Sequence, residues 1–249
     1  QHAGVSSRND LQSLTIAEML DVQAKLEAIP TDNFDFFTPA GGGRSLPHDI
    51  VTTAAQSPVP FVIGTNRDEN RLWAALDPAQ NQLGEEHWND LCQQTFGEHA
   101  LRAKNIYEQT RPEESPWQLI SSIRTDTAFR QRAQRISEQR VQANNKTWMY
   151  WFTWPTPVLD GIVGSCHGLD IPFAFDNLSL PRTDDLTGDG AERAGIATRF
   201  ADEIAQFAKS SAPSWPAFNL ADRSTLEINA EIAVLNDPEK EIREIYLSL

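Results

Sequence analysis

Apolar residues recur with helical spacing in several segments of this chain. Thr15 and Glu18 form a capping box ahead of an apolar-periodic segment that stops at Pro30, which predicts a helix. A longer helical region is predicted from about residue 84 to residue 145. Three helix-breaking residues divide that region into separate helices: Gly97, Pro112 and Pro116.

Two further helices are predicted nearer the end of the chain. An apolar stripe that includes Phe200 and Phe207 marks the first. The second opens at Asp237 as the N-cap, with Pro238 at the first helical position. Within the long helical region, acidic residues and glutamines dilute the basic residues between Arg124 and Arg140, which predicts a solvent-exposed helix face.

Three short segments have the composition of strands. "VPFVIG" (residues 59–64) is a short apolar run, typical of a parallel strand that is buried on both faces. "TWMYWFTW" (147–154) is β-branched and aromatic, and "STLEIN" (224–229) alternates as a terminal strand does. Strands between long helical segments predict an α/β fold, but three strands are few for 249 residues. We therefore expect part of the sheet to lie outside the numbered chain.

The charge of the chain narrows the classes of partner. The formal net charge is −14, and no Lys/Arg cluster forms the basic stripe that a phosphate backbone requires. Nucleic acid and anionic membranes are therefore not expected as partners, and no apolar run is long enough to predict a membrane span. The two cysteines predict neither a disulfide framework nor a zinc site, and their low number favours a cytoplasmic location.

Two loops that follow predicted strands carry candidate chemistry. "GTNRDEN" comes directly after the first strand and holds Asp68 and Glu69, and "GSCHGLD" comes some residues after the second strand and holds His167. If the strands are parallel, both loops open at the sheet edge where α/β proteins bind ligands. A carboxylate that faces an imidazole forms part of a nucleophilic catalytic unit. On spacing alone, a solvated turn at Glu69 and a hydrogen-bonding surface role for His167 remain the commoner interpretations.

The nucleophile that such a pair would activate is absent from the sequence. In α/β-hydrolases the chain order is nucleophile, acid, histidine, and the nucleophilic serine lies in a G-x-S-x-G turn. No such pentapeptide occurs here, because "GVSSR" lacks the second glycine and "KSSAPS" has no glycine. Ser165 and Cys166 are too close to His167 along the chain for the usual proton-transfer geometry, so neither is predicted to be the nucleophile.

Five segments in order match the pattern of one known family. "VPFVIGTNRDEN" resembles a strand followed by G-T-N-x-D-E-G, and "TDTAFRQRAQRISE" resembles a T-D-x-x-F-R helix. "WMYWFTWPTP" resembles a Y-x-Y-x-F-x-W strand, and "GSCHGLDIPFAFDNL" resembles G-A-x-H-x-x-E-L-P-F-V-F. "FAKSSAPSWPAFNLADRSTLEIN" resembles the carboxyl-terminal region of the same family. Nearly the whole chain thus resembles the type-B carboxylesterases, the group of bacterial para-nitrobenzyl esterases and animal cholinesterases.

The resemblance implies that residues 1–249 form a single partial domain, the carboxyl-terminal portion of an α/β-hydrolase fold with few strands and many covering helices. It implies that Glu69 is the acid and His167 the base of a Ser-His-Glu triad in a serine carboxylesterase. The serine would belong to an amino-terminal portion, so we expect this chain alone to be inactive. The implied substrate is a small-molecule ester, held by walls between Trp73 and Phe129, and no metal or cofactor is implied.

The chain departs from the family pattern at three places. Asn70 stands where glycine usually follows the acid, so the turn there is open to a different conformation. Asp170 stands where glutamate is usual, and "PAGGGRSLP" lacks the aspartate of the corresponding family segment. None of these changes replaces a proton-transfer group.

Two other interpretations remain open. One is a binding or adhesion module that keeps the fold without catalysis, although both triad positions present in this chain are intact. The other is a subunit that works with a separate chain carrying the serine. Because the edge of the "VPFVIG" strand would be unpaired, we also expect a homodimer or a swapped assembly when the chain is alone.

Overall fold

A four-stranded sheet organises residues 51–249 in the computed structural model, which describes residues 6–27, 41–46 and 48–249. The strands follow one another in space as they do in the sequence: β1 (Phe61–Asn66), β2 (Thr147–Phe152), β3 (Ser224–Ile228) and β4 (Ala233–Asn236). The β1–β2 and β2–β3 pairs are parallel, and the β3–β4 pair is antiparallel. The prediction of parallel strands separated by helices is therefore confirmed.

A series of helices connects β1 to β2. These are α4 (Arg71–Leu76), α5 (Glu85–Phe96), α6 (Ala100–Thr110), α7 (Pro116–Thr125) and α8 (Gln131–Gln142). A π-helical turn, Asp126–Arg130, joins α7 to α8. Gly97 ends α5 with a φ of 54°, and Pro116 lies in the first turn of α7, so the predicted breaks at these residues are confirmed.

Helices cover both faces of the sheet. Alternate residues of β2 point to opposite faces, so Trp148 and Phe152 pack with α9 (Asp170–Ala174) and α11 (Arg193–Ser210) on one side. On the other side Met149 packs with Ala133 of α8. The tryptophans of "TWMYWFTW" are buried in this packing, as the sequence predicts.

Three further helices lie outside the segment that connects β1 to β2. They are α3 (Ile50–Gln56), α10 (Asp184–Thr187) and α12 (Lys240–Leu247). Helices α5, α6, α7 and α12 share a second apolar core, which includes Trp88, Tyr107, Ile120 and Ile242. None of the helices that the structure describes is long and apolar enough to cross a membrane.

The described residues before Val51 belong to a unit of their own, which contains α1 (Arg8–Gln12) and α2 (Ile16–Glu27). The predicted capping box of α2 is confirmed, because Thr15 N–H donates to Glu18 Oε2 at 2.7 Å and Glu18 N–H donates to Thr15 Oγ1 at 3.3 Å. The predicted end of this helix at Pro30 lies outside the described residues.

Strand β1 forms one edge of the sheet. The prediction that it is buried on both faces is wrong at its start, since Phe61 is 36% exposed. Phe61 N–H donates to Lys146 O at 3.2 Å and Arg67 N–H donates to Phe152 O at 2.9 Å, so odd-numbered positions face β2. Because strand backbone groups alternate in direction, those of Val62 and Gly64 face the open edge.

The prediction of three strands with "STLEIN" as the last is wrong, because β4 returns antiparallel to β3. Strand β4 is only four residues long and mostly exposed, so it has no apolar alternation that a sequence pattern could detect.

The predicted start of the last helix at Asp237 is also wrong. Helix α12 begins at Lys240, and Asp237 and Glu239 adopt positive φ angles of 48° and 56°. Asp237 accepts two hydrogen bonds from Arg243 at 2.8 Å and 2.7 Å, and Glu239 pairs with Arg111 at 2.8 Å. Pairing with these buried guanidinium groups replaces the predicted N-terminal cap.

The prediction of a solvent-exposed face between Arg124 and Arg140 is wrong for two of its arginines. Arg130 and Arg140 are only 3% and 1% exposed. The Arg130 guanidinium lies 4.1 Å from the centre of the Trp151 ring. Arg140 donates hydrogen bonds to Thr147 Oγ1 and to the carbonyl oxygens of Ala54, Ser57, Val59 and Lys146. Arg140 thereby fastens the segments that lead into β1 and β2.

Candidate active site

Glu69 lies in the turn that joins β1 to α4, and it is only 5% exposed. The N–H group of Asn66 donates to Glu69 Oε1 at 2.8 Å, which fixes the carboxylate against the end of the strand. Asn70 N–H donates to Thr125 Oγ1 at 3.0 Å, and its φ of −69° is helical. The turn therefore does not require the glycine that is usual at position 70 in the resembling family.

His167 lies at the tip of a turn between β2 and α9. Leu169 N–H donates to Cys166 O at 3.2 Å, and Gly168 has a φ of 75°. A positive φ at the third position is typical of a type II turn and explains the glycine after His167. The turn leaves the His167 side chain 46% exposed.

The two loops meet. His167 Nδ1 lies 2.6 Å from Glu69 Oε2, across a sequence separation of 98 residues. Because an ionised carboxylate can only accept a hydrogen bond, we assign the shared proton to Nδ1, which leaves Nε2 as the basic nitrogen. The predicted convergence of Glu69 and His167 at the carboxyl edge of the parallel strands is therefore confirmed as geometry.

The environment of Glu69 acts on its pKa in opposite directions. Burial raises the pKa of this carboxyl group above its ordinary value. The hydrogen bonds from Asn66 N–H and His167, and the charge of the imidazolium, oppose that rise. The carboxylate is thus held in a dry setting where its charge acts strongly on the one imidazole it touches.

Two aromatic rings lie beside the imidazole of His167. The Trp73 ring centre is 4.9 Å away and the Phe129 ring centre is 5.4 Å away. The structure therefore places both ends of the predicted pocket wall against His167. A cleft of about 400 Å³ adjoins this group, and its lining includes Ile63, Thr65, Glu69, Phe129, Ile136 and His167. Because Ile63 and Thr65 belong to β1, the cleft adjoins the strand at the edge of the sheet.

Further hydrogen bonds support the site, and the sequence analysis did not identify them. Tyr150 O–H donates to Asp170 Oδ2 at 2.8 Å. Asn66 Nδ2 donates to Cys166 O at 2.6 Å and to Asp170 Oδ1 at 3.2 Å. A Cβ atom at Gly64 would lie 2.4 Å from the Tyr150 ring, so the glycine lets this ring pack on β1. The glycine and asparagine of "GTN" are the signal in the sequence that could have pointed to these contacts.

Neither Ser165 nor Cys166 is placed to act as a nucleophile. Both are fully buried, and Ser165 Oγ–H donates to Phe152 O at 2.7 Å. Burial raises the pKa of the Cys166 thiol to about 12, which keeps it protonated and unreactive. Within the described part of the chain, no hydroxyl group hydrogen-bonds to His167 and no cluster of three or more potential ligands could hold a metal ion.

Comparisons with known proteins identify the family of the chain. The profile of the Carboxylesterase family matches residues 6–244. The chain is 29% identical to the para-nitrobenzyl esterase of Bacillus subtilis (strain 168), over 94% of this chain and 48% of that protein. It is 26% identical to the phenmedipham hydrolase of Pseudarthrobacter oxydans, over 78% of this chain and 41% of that protein.

A solved structure shows the same fold. The crystal structure of the Geobacillus stearothermophilus carboxylesterase EST55 at pH 6.2 superposes with a TM-score of 0.79 at 26% identity. The superposition covers 98% of this chain and 52% of that one. The chain thus has a partial α/β-hydrolase fold and spans about half the length of the curated relatives it matches. Because the family profile matches nearly all of its residues, the chain belongs to the Carboxylesterase family.

Proposed function

We propose that this chain supplies the acid and the base of a serine carboxylesterase whose nucleophilic serine lies outside residues 1–249. The observation that carries the proposal is the 2.6 Å hydrogen bond between Glu69 Oε2 and His167 Nδ1. The proposal is supported by the family and by relatives that are named as an esterase and a hydrolase.

The proposed reaction has two stages. His167 Nε2 takes the proton from the serine hydroxyl as the serine oxygen attacks the ester carbonyl, and the resulting imidazolium then protonates the departing alcohol. In the second stage His167 takes a proton from water as the water oxygen attacks the acyl-serine, and the imidazolium then returns that proton to the serine oxygen as the carboxylic acid leaves. Glu69 orients the ring through Nδ1 and stabilises its positive charge in both stages.

The chain alone is proposed to be inactive. It contains no G-x-S-x-G segment, and it contains no HGGG-type segment of the kind that forms an oxyanion hole. Without the nucleophile and the donors that stabilise the oxyanion, most of the transition-state stabilisation is lost.

The proposed partner is the serine-bearing segment, docked in the cleft beside β1. This cleft adjoins both His167 and β1, and no strand of the described residues pairs with the outer side of β1, so one segment could pair with β1 and present a hydroxyl to Nε2. The curated relatives, of which this chain spans 41% and 48%, have the additional length that such a segment requires. The proposed substrate is a small-molecule ester.

The test combines this chain with the serine-bearing segment encoded beside it, either in frame upstream of the Gln1 codon or in a neighbouring gene. Hydrolysis of 4-nitrophenyl acetate is followed for the wild-type assembly and for the Glu69→Gln and His167→Gln variants. We expect Glu69→Gln to lower kcat by roughly 10⁴-fold and His167→Gln by roughly 10⁶-fold, as removal of the acid and of the base does elsewhere. Glu98→Gln is the matched control, because the Glu98 side chain is 89% exposed.

A wild-type assembly that hydrolyses the ester while His167→Gln retains full activity would refute the proposal. A glycine or alanine at the serine position of the G-x-S-x-G segment would favour a binding module instead. Activity only when two separately expressed chains are mixed would identify a two-chain enzyme.

A further inference from the structure

A buried carboxylate next to the proposed acid is not used by the proposed mechanism. Asp68 precedes Glu69 and is only 1% exposed, yet it does not touch His167. Instead it binds the histidine loop twice. Asp68 N–H donates to Ser165 O at 2.9 Å, and Ser165 N–H donates to Asp68 Oδ2 at 2.8 Å.

These two hydrogen bonds join the loop of the acid to the loop of the base. One partner is the residue before Glu69, and the other lies two residues before His167. We propose that Asp68 is a positioning residue, which holds the two loops in the register that brings Glu69 Oε2 to His167 Nδ1. The catalytic consequence of this inference rests on the proposed function, whereas the effect on the imidazole does not.

The glycine before Ser165 makes room for this contact. Gly164 has a φ of 58°, and a Cβ atom there would lie 2.4 Å from Asp68 Oδ2. No ordinary side chain tolerates that distance, so the carboxylate sits where only glycine allows it. Gly164 is therefore predicted to be as necessary for the contact as Asp68 itself.

Two guanidinium groups balance the charge of Asp68. Arg67 Nη2 lies 3.0 Å from Oδ2 and Arg71 Nη2 lies 3.4 Å from Oδ1. Arg71 also pairs with Glu114, which extends the network to the segment before α7. Movement of the carboxylate away from these partners would leave a buried charge unpaired, which is strongly unfavourable. Asp68 is therefore held in one position and can fix the loop that it binds.

Loss of the contact between Asp68 and Ser165 is expected to change the position of His167. Without Asp68 Oδ2 the Ser165 N–H group is buried and unpaired, so the histidine loop is expected to shift. A displacement of about 1 Å at a reacting group lowers catalysis about 10²-fold. We therefore expect Asp68→Ala to lower kcat of the assembled enzyme by about 10- to 100-fold with little change in KM.

The decisive readout does not depend on hydrolysis. Long-range ¹H–¹⁵N correlation spectra of this chain report which ring nitrogen of His167 carries the proton. Wild type should show the Nδ1–H tautomer, and Asp68→Ala and Gly164→Ala should show a mixture, as Glu69→Gln should. Asp68→Asn should recover much of the Nδ1–H form, since its amide oxygen can still accept from Ser165 N–H.

Gly161→Ala is the matched control. It places a side chain at a φ of 77° in the same loop, but its Cβ meets only Thr156 O at 3.9 Å. Unchanged His167 spectra in folded Asp68→Ala and Gly164→Ala would overturn the inference. Equal changes in Gly161→Ala would overturn it as well, because they would assign the effect to backbone strain. A tautomer change without any ester hydrolysis in the wild-type assembly would instead contradict the proposed function and leave the positioning role intact.

Discussion

Glu69 and His167 are separated by 98 residues in the sequence and by 2.6 Å between Oε2 and Nδ1 in the structure. The parallel pairing of β1 with β2 creates this proximity, because the loops that follow the two strands both lie at the carboxyl ends of the strands. The pair is half buried: the carboxylate is enclosed and the imidazole is exposed toward a cleft. The buried carboxylate can therefore orient the imidazole, while the exposed side of the imidazole stays accessible to a group that enters the cleft.

Neither cysteine should react while the chain is folded. Cys92 and Cys166 are 2% and 0% exposed, and burial raises the pKa of each thiol to about 12. Iodoacetamide at neutral pH should therefore label neither residue in the native chain and both after unfolding in guanidinium chloride. Mass spectrometry of the digested protein gives the sites, and rapid native labelling of Cys166 would contradict this packing of the histidine loop.

Arg140→Lys should destabilise the chain strongly. Arg140 hydrogen-bonds to carbonyl oxygens ahead of both β1 and β2, and a single ammonium group cannot reach them all. We expect the free energy of unfolding in urea to fall by roughly 2–4 kcal/mol, since several buried acceptors lose their donor. Arg135→Lys on the same helix is the control, because Arg135 is exposed. Equal stability of the two variants would show that the network is not needed.

Asp126 should make the stability of the chain depend on pH. Burial raises the pKa of Asp126 from 3.8 to about 6, although Tyr107 donates to it at 2.6 Å. Between those pH values the folded chain binds more protons than the unfolded chain, so this contribution to stability is complete below the lower value and is lost as pH rises through the upper one.

The corresponding test uses Asp126→Asn, which cannot ionise. The free energy of unfolding of this variant, measured relative to wild type, should increase from pH 4 to pH 7. Urea unfolding at several pH values gives this difference directly. A difference that is constant over the range, or that decreases, would contradict the assigned environment of Asp126.

The open edge of β1 should drive self-association of the chain when no partner is present. The backbone groups of Val62 face this edge, so a proline there blocks an incoming strand without removing a bond to β2. We expect sedimentation velocity to show dimers for wild type and for the Val62→Ala control, and monomers for Val62→Pro. A monodisperse wild-type monomer would refute this prediction.

Much of the site could be predicted from the sequence, because each part has a strong local signal. β-branched and aromatic runs mark β1 and β2, and glycines mark the turn at His167. The pairing of Glu69 with His167 follows once the strands are taken as parallel. The family pattern then selects the catalytic interpretation over that of a solvated turn.

The rest depends on contacts between distant segments. The burial of Arg130 and Arg140 is decided by an aromatic ring and by carbonyl oxygens that no helical pattern shows. The start of α12 is decided by Asp237 and Glu239 finding arginine partners rather than capping a helix. Asp68 looks like part of a solvated turn in the sequence, and only the fold reveals its bonds to Ser165.

His167 is proposed to activate a serine that lies outside residues 1–249. A fluorophosphonate that forms a covalent bond with activated serines tests this proposal most directly, with the labelled residue located by mass spectrometry. We expect one labelled serine, in the G-x-S-x-G segment outside residues 1–249, and loss of that label in His167→Gln. Labelling of a serine within this chain in isolation, or labelling that is unchanged in His167→Gln, would contradict it.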